Sequence, residues 1–445
     1  MNRAKHILIF EPQIEGHHLF WVAMLCEDFL SAGYTVSLAL DTREGKAQER
    51  LLAINPTLLN DVVVLPTHSP EGKWVKQGAL QTLAYCFKES GADEVFVNNL
   101  DEFASKLFRR AAFGLRPPSI LKGKISGIYH RPRPLDFSQS SLNNKLKRWG
   151  LKRLCREGWI ANIFLVDEFT LESMPKESSE KLQSEAILDE AGLGRESWKR
   201  KPIMNIGASR ESRGRSQIRQ KWIFTELSKD AFLGTRFSWL PDPWVGEFSD
   251  PQYEAREALG IPQDRLVFLN YGVAARRKGL HLAIDALKKL PDDRVFLLSA
   301  GRLGNDKEVL NGIQALEDKG CAKALNYYVT PQEEALAFRA ADIVLLPYLS
   351  HFGSANVLAR AAAANRPVIA SDYHLLGERV KRYGLGLTFK NESVEDLHAT
   401  LEEVLGNSEK HLCAYSAGLK NYKEAFSREA FREALLKEYP PATHT

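Results

Sequence analysis

Cysteine is scarce in this sequence, and so are long apolar runs and any surplus of one charge. The 445-residue chain carries five cysteines, Cys26, Cys86, Cys155, Cys321 and Cys413, far apart and without a CxxC pair. That spacing argues against a zinc site or a disulfide framework and fits a reducing compartment. No apolar stretch approaches the ~20 residues needed to cross a bilayer. The N-terminus enters a short strand-like run and not a signal-peptide core, so a cytoplasmic protein is expected. The formal net charge is only +4, which gives no support to a nucleic-acid partner.

What the chain does contain is a strand–helix alternation over a length suited to two domains of about 200 residues each. In the first half, Ile7–Phe10, Tyr34–Leu40, Asp61–Leu65, Glu94–Val97, Lys124–Tyr129 and Asn162–Val166 read as strands between helical segments. In the second, Leu266–Asn270, Val295–Ser299, Leu325–Val329, Ile343–Pro347 and Val368–Ser371 do the same. This order implies parallel βαβ units in doubly wound α/β sheets. The rhythm breaks before Trp239, where Lys199–Lys221 is dense in Lys and Arg and reads as part of a connection or an insertion. The expected division is a first domain over 1–205, a basic connection over 206–240, a second domain over 241–420, and a helix and tail over 421–445.

Doubly wound sheets bind ligands in loops at the carboxyl ends of their strands. Two such loops stand out in the second half. Asn270–Gly279 places Arg276, Arg277 and Lys278 in succession after Gly272, a set suited to phosphate. Tyr348–Asn356 holds His351, Gly353, Ser354 and Ala355 ahead of an alanine-rich helix. Ser354 is an expected N-cap there, and the helix amides form an anion site. In the first half Glu15, His17, His18, Asn98, Asn99, His130, Arg131 and Arg133 follow strand ends, where polar groups from several loops would meet an acceptor. Asn98 and Asn99 have a second reading as caps of the next helix.

The ordered segments FLNYG…RRKGLHLAIDAL, FLLSAGR and AADIVLLPYLSHFGSANVLARAAAANRPVIASD resemble the donor domain of family 4 retaining glycosyltransferases. The resemblance covers residues ~236–408 and extends over the first ~170 through the fold rhythm and the glycine loop at Gly16. It implies a GT-B fold, two Rossmann-like domains facing a cleft, with a C-terminal helix crossing back. By position it implies that Lys278, Gly353 and Ser354 hold a donor diphosphate and that Tyr328 and Val329 lie at the base. Glu378 matches a glutamate near the end of the pattern, Gly16 a loop facing the donor, and His130 a histidine near the reacting sugar.

Three positions depart from that pattern. Val273 stands where an arginine is expected five residues before Lys278, and Phe352 and Arg360 stand where two glutamates eight apart are expected. The resemblance implies sugar transfer from a nucleotide-sugar, a substrate and not a cofactor, to a glycan or lipid-linked acceptor, with no metal. A catalytically inactive partner subunit and another nucleotide-sugar enzyme such as an epimerase are the alternatives. The basic segment Leu142–Trp159 reads either as a solvated helix face or as peripheral contact with an anionic membrane. Its apolar stripe stops after Trp149, where Arg153 takes the next in-register place.

Overall fold

The structure is a computed structural model that describes residues 4–15, 18–136, 141–174 and 234–441. Gly16, His17 and the basic segment Lys199–Lys221 lie outside the described residues. The first sheet contains β1 (His6–Glu11), β2 (Thr35–Leu40), β3 (Val63–Pro66), β4 (Glu94–Val97), β5 (Ile125–Tyr129), β6 (Ile160–Leu165) and β7 (Arg236–Trp239), in the order β3-β2-β1-β4-β5-β6-β7. The second contains β8 (Leu266–Tyr271), β9 (Val295–Ala300), β10 (Ala322–Leu325), β11 (Ile343–Leu346), β12 (Val368–Ser371) and β13 (Gly386–Phe389), in the order β10-β9-β8-β11-β12-β13. Neighbouring strands run parallel in both sheets.

Parallel strands covered by helices on both faces must be apolar throughout. β9 shows this, with all its residues buried. Strand order reverses between β1 and β4 in one sheet and between β8 and β11 in the other. The crevices at those reversals are where such folds take ligands, and they hold the loops singled out from the sequence.

Three elements differ from expectation. The connection over 206–240 ends in β7, which pairs with β6 and adds a seventh strand beyond the one expected to be last. β10 closes at Leu325, so Asn326–Val329 is a loop and not the end of a strand; the Asn326 side chain accepts from the Leu303 amide at 2.8 Å. β13 escaped notice because it is short and starts on Gly386, where an added Cβ would stand 2.0 Å from the Val368 carbonyl oxygen.

The tail crosses back, as the resemblance implied. Helix Ser416–Ala425 packs Leu419, Tyr422 and Phe426 into the second domain's core. The Ser427 hydroxyl then caps helix Arg428–Glu438 by accepting from Ala430 N. Phe431, Leu435 and Tyr439 of that segment complete the first domain's core against Trp21, Phe29, Phe96 and Phe164.

Candidate active site

The loop after β8 folds onto itself around Lys278. Gly272 has φ +96°, and a Cβ there would stand 2.5 Å from the Lys278 ammonium. The ammonium donates to the Tyr271 carbonyl at 3.4 Å and lies 5.6 Å from the centre of the Tyr348 ring. Burial, reinforced by the Arg277 and Arg360 charges, lowers its pKa to about 8. Among the described residues no carboxylate pairs with it. Gly279, at φ +69°, presses this loop against the next one, since a Cβ would meet the Pro347 carbonyl at 1.8 Å. The Leu349 amide also donates to the Arg277 carbonyl at 2.8 Å.

The two arginines beside Lys278 part company. Arg276 turns outward to Asp306 at 3.1 Å and to Glu308. Arg277 is exposed, and its charge acts on Lys278, Tyr348 and His351.

In the loop after β11, a His351 ring nitrogen lies 3.2 Å from the Ser354 carbonyl and the ring stands edge-on to Tyr348. Burial lowers the His351 pKa, and Arg277, Arg131 and Lys278 push the same way. The expected cap at Ser354 needs correction. The helix is Asn356–Ala363, its N-cap is Ala355, and no side chain among the described residues caps it. The Ser354 hydroxyl instead accepts from Arg379 at 2.7 Å, which leaves the first-turn amides without a side-chain cap. Arg131 reaches this loop from the other domain; a Cβ on Gly353 would lie 3.6 Å from its Nε.

Other contacts are formed at the two positions that lack the expected glutamates. Arg360 pairs with Glu334, which also accepts from the Tyr271 hydroxyl, so a neighbouring helix supplies a carboxylate beside the cleft. The Phe352 ring lies 4.7 Å from His374 and 5.0 Å beneath the Arg133 guanidinium. His374 adopts φ +48°, uncommon for a residue with a side chain. Glu378 lines an interdomain pocket of about 330 Å³ together with Asp136, Asp167, Asp372 and His374. Tyr328 is exposed under the Arg302 guanidinium, 5.4 Å from its ring centre, and Val329 packs against the second core.

On the first-domain side the centre is Glu11, which sequence reading passed over because an acid closing an apolar strand carries no motif. Its buried carboxylate accepts from His18 Nδ1 at 2.9 Å, Asn98 Nδ2 at 2.8 Å and Gln13 N at 2.8 Å. Burial opposes charge on His18, but the hydrogen bond and charge of Glu11, with Glu102, raise its pKa. The Asn98 side-chain oxygen is buried with no hydrogen-bond partner among the described residues. Asn99 takes its alternative role and caps helix Leu100–Ala112 by accepting from Asp101 N. Asp101 accepts from the backbone amides of His130 and Arg131 at 2.8 and 3.0 Å, and burial pushes it up to about 6. The His130 ring lies 3.2 Å from the Asn98 carbonyl and edge-on to Trp21.

The structure thus brings Lys278, Arg277, His351, Gly353 and Arg131 together, and separately gathers His18, Asn98 and His130 around Glu11. Arg276, Asn99 and Tyr328 stand apart from both groups. Arg379, missed in the sequence, ties the Gly353–Ser354 loop to the opposite domain through Glu168 at 2.6 Å. Its only signal was an arginine at a core-facing position of LLGERV.

Comparison with known proteins fits this geometry. Residues 251–420 match the family model described as glycosyl transferases group 1. The D-inositol 3-phosphate glycosyltransferase of Mycobacterium tuberculosis is 29% identical over 195 residues, 42% of this chain. The match spans 39% of that relative's length. Among solved structures, sucrose-phosphate synthase from Thermosynechococcus elongatus aligns over 98% of both chains with a TM-score of 0.60 and 15% identity. Anabaena HepE in complex with UDP and glucose aligns over 98% of this chain and 99% of its own, with a TM-score of 0.59 and 14% identity. The fold is GT-B, as the resemblance implied.

Proposed function

We propose that this protein transfers a sugar from a nucleoside diphosphate sugar to a hydroxyl of a glycan or lipid-linked acceptor, with retention of configuration. The observation that carries this reading is the Lys278 ammonium, largely buried in the cleft beside further cations and, among the described residues, without a carboxylate. A buried charge needs a partner, and a diphosphate supplies one. Lys278, Arg131 and the amides following Gly353 would offset the charge that develops on the leaving diphosphate, so no metal is required. His130, held by Asn98 and Trp21, would orient the reacting sugar.

Arg131 stands in for the arginine missing at Val273. Calorimetric titration with UDP, GDP and ADP is expected to show binding of one nucleotide, with UDP favoured because HepE carries it. Arg131→Gln should weaken that binding about tenfold, the loss of one charge-assisted contact. Unchanged affinity would remove Arg131 from the donor site, and a protein that binds none of the three nucleotides would sink the donor reading.

Phe352 and Arg360 favour a second reading, an inactive partner subunit. Hydrolysis of UDP-glucose or transfer from it by the purified protein would exclude that reading.

Membrane contact takes a narrower form than the basic helix suggested. Among the described residues no helix is long and apolar enough to cross a membrane. In helix Leu142–Arg156, Arg148 and Lys152 turn inward, Arg148 donating to the Asp136 carbonyl. Gly150 lets that helix press on helix Leu100–Ala112. Exposed Phe113 (73%) and Leu115 (51%) follow Arg109 and Arg110 and offer apolar and cationic groups together. Co-sedimentation with phosphatidylserine vesicles is expected and should be lost in Phe113→Asp. Protein that stays in the supernatant would contradict peripheral contact.

A further inference from the structure

A single carboxylate fixes the turn that carries both His130 and Arg131. Asp101 stands in the first turn of helix Leu100–Ala112 and lines an interdomain cavity of about 660 Å³ together with Tyr129 and Arg131. Its Oδ2 accepts from the His130 amide at 2.8 Å and its Oδ1 from the Arg131 amide at 3.0 Å, so each oxygen holds one of two successive peptide N–H groups. The two side chains then leave in different directions. His130 turns to Trp21 and the Asn98 carbonyl, and Arg131 crosses the cleft to the Gly353 loop.

Two adjacent amides need two acceptor oxygens, and a carboxylate is the side chain that offers both without a proton of its own. Protonation makes one of them an O–H donor, and asparagine replaces one by an NH2 group. In either form the pair of charge-assisted bonds is lost. Capping does not call for this carboxylate, because Asn99 already caps the same helix. Burial pushes the Asp101 pKa up to about 6, while the His130 amide, the Arg131 charge and the Arg131 amide pull it back. Lys147 of helix Leu142–Arg156 also favours its charge, Glu102 of its own helix opposes it, and the Tyr129 hydroxyl lies near enough to feel it.

We propose that Asp101 is a positioning residue for the donor: ionised, it sets the turn at 130–131 so that Arg131 reaches the diphosphate, and protonated, it releases that turn. Nucleotide affinity then depends on a carboxylate that acts through Arg131 and not on the ligand. The inference rests on the transferase reading above and names a regulation of its donor site. Its sign is fixed by the chemistry, since the clamp is formed above about pH 6 and lost below it.

The test is calorimetric titration of the full chain with the tightest binder among UDP, GDP and ADP. Wild type, Arg131→Gln, Asp101→Asn and the double variant are compared between about pH 5 and 7.5. The nucleotide's own ionisation is common to all four proteins and cancels in their affinity ratios. The advantage of wild type over Arg131→Gln should be about tenfold near pH 7.5 and shrink below about threefold near pH 5. In the Asp101→Asn background the same ratio should stay below about threefold at every pH, whereas a merely structural residue would lower affinity equally with and without Arg131. An Arg131 effect undiminished by Asp101→Asn overturns the proposal. So does a pH slope that persists in Asp101→Asn, which would belong to His18 or His351, both sensitive to the Arg131 charge. Where Asp101→Asn does not fold, the wild-type profile against Arg131→Gln still decides, and a constant ratio overturns the proposal. Failure of all three nucleotides to bind wild type removes the donor reading and this inference with it, and that result is visible before any variant is made.

Discussion

Lys278→Met is expected to weaken UDP binding by roughly ten- to a hundredfold and at the same time to stabilise the nucleotide-free protein. The first effect is the loss of one charge-assisted contact in a desolvated site, about 1.5–3 kcal/mol. The second follows from the pKa of about 8 against the ordinary 10.5. Between those two values the unfolded chain holds a proton on this group that the folded chain has lost. Stability conferred by the wild-type residue therefore rises with pH across that window, and the burial penalty is fully present below about pH 8. The penalty is of order 2–3 kcal/mol at neutral pH, and methionine escapes it. Nucleotide affinity should have the opposite trend, falling as pH rises through about 8 and the cation is lost. Urea unfolding of both proteins at pH 7 and pH 10, with UDP titrations at the same values, checks each part. A variant no more stable than wild type at pH 7 and equally able to bind UDP would refute the role assigned to Lys278.

Arg379→Ala should cost about 3–5 kcal/mol, the range for breaking a buried ion pair from one side. Arg379 is 1% exposed and forms hydrogen bonds to both oxygens of Glu168, to the Val166 carbonyl at 2.7 Å and to the Ser354 hydroxyl. Its guanidinium also lies 4.8 Å from the centre of the Phe426 ring. Removing it leaves the Glu168 carboxylate buried and uncompensated between the domains. Glu168→Gln should destabilise through the converse fault, a buried cation without its anion. The neighbouring Arg382–Glu172 pair joins the same helices but is exposed, and surface pairs of that kind contribute little. Chemical unfolding of Arg379→Ala beside Arg382→Ala separates the two cases, and equal, small losses would contradict the clamp. Weaker UDP binding in Arg379→Ala is also expected, because the loop that presents the Gly353 amides is released.

The parts of this protein that were legible in its sequence are those fixed by local chemistry. Apolar runs between helical segments gave most strands of both sheets, since buried parallel strands admit few alternatives. Lys278 was legible because it ends a run of three cations after Gly272 at the carboxyl end of a strand, where the resemblance also places a phosphate-binding lysine. What escaped depends on groups distant in the chain. Ser354 has the composition of an N-cap, but Arg379 competes for its hydroxyl. Arg276, Arg277 and Arg131 share one side chain, yet Asp306 and Glu308 draw the first away and the facing domain delivers the third. Glu11 becomes a hub only when β4 brings Asn98 beside it. At Phe352 and Arg360 the sequence showed the loss of carboxylates but not that Glu334 would approach from another helix.

The return of the tail to the first domain orders events during synthesis. Residues 431–439 supply Phe431, Leu435 and Tyr439 to a core otherwise built from residues 7–240. On the ribosome the first domain therefore emerges early but stays incomplete: after Leu240, some 190 residues pass before the partners of Trp21, Phe29 and Phe96 are made, a delay of roughly 10–40 s at about 5–20 residues per second. The second domain's core is completed only by Leu419, Tyr422 and Phe426, just ahead of the segment that finishes the first. The half encoded first is thus the half finished last, and the final helix acts as the latch of the nascent chain.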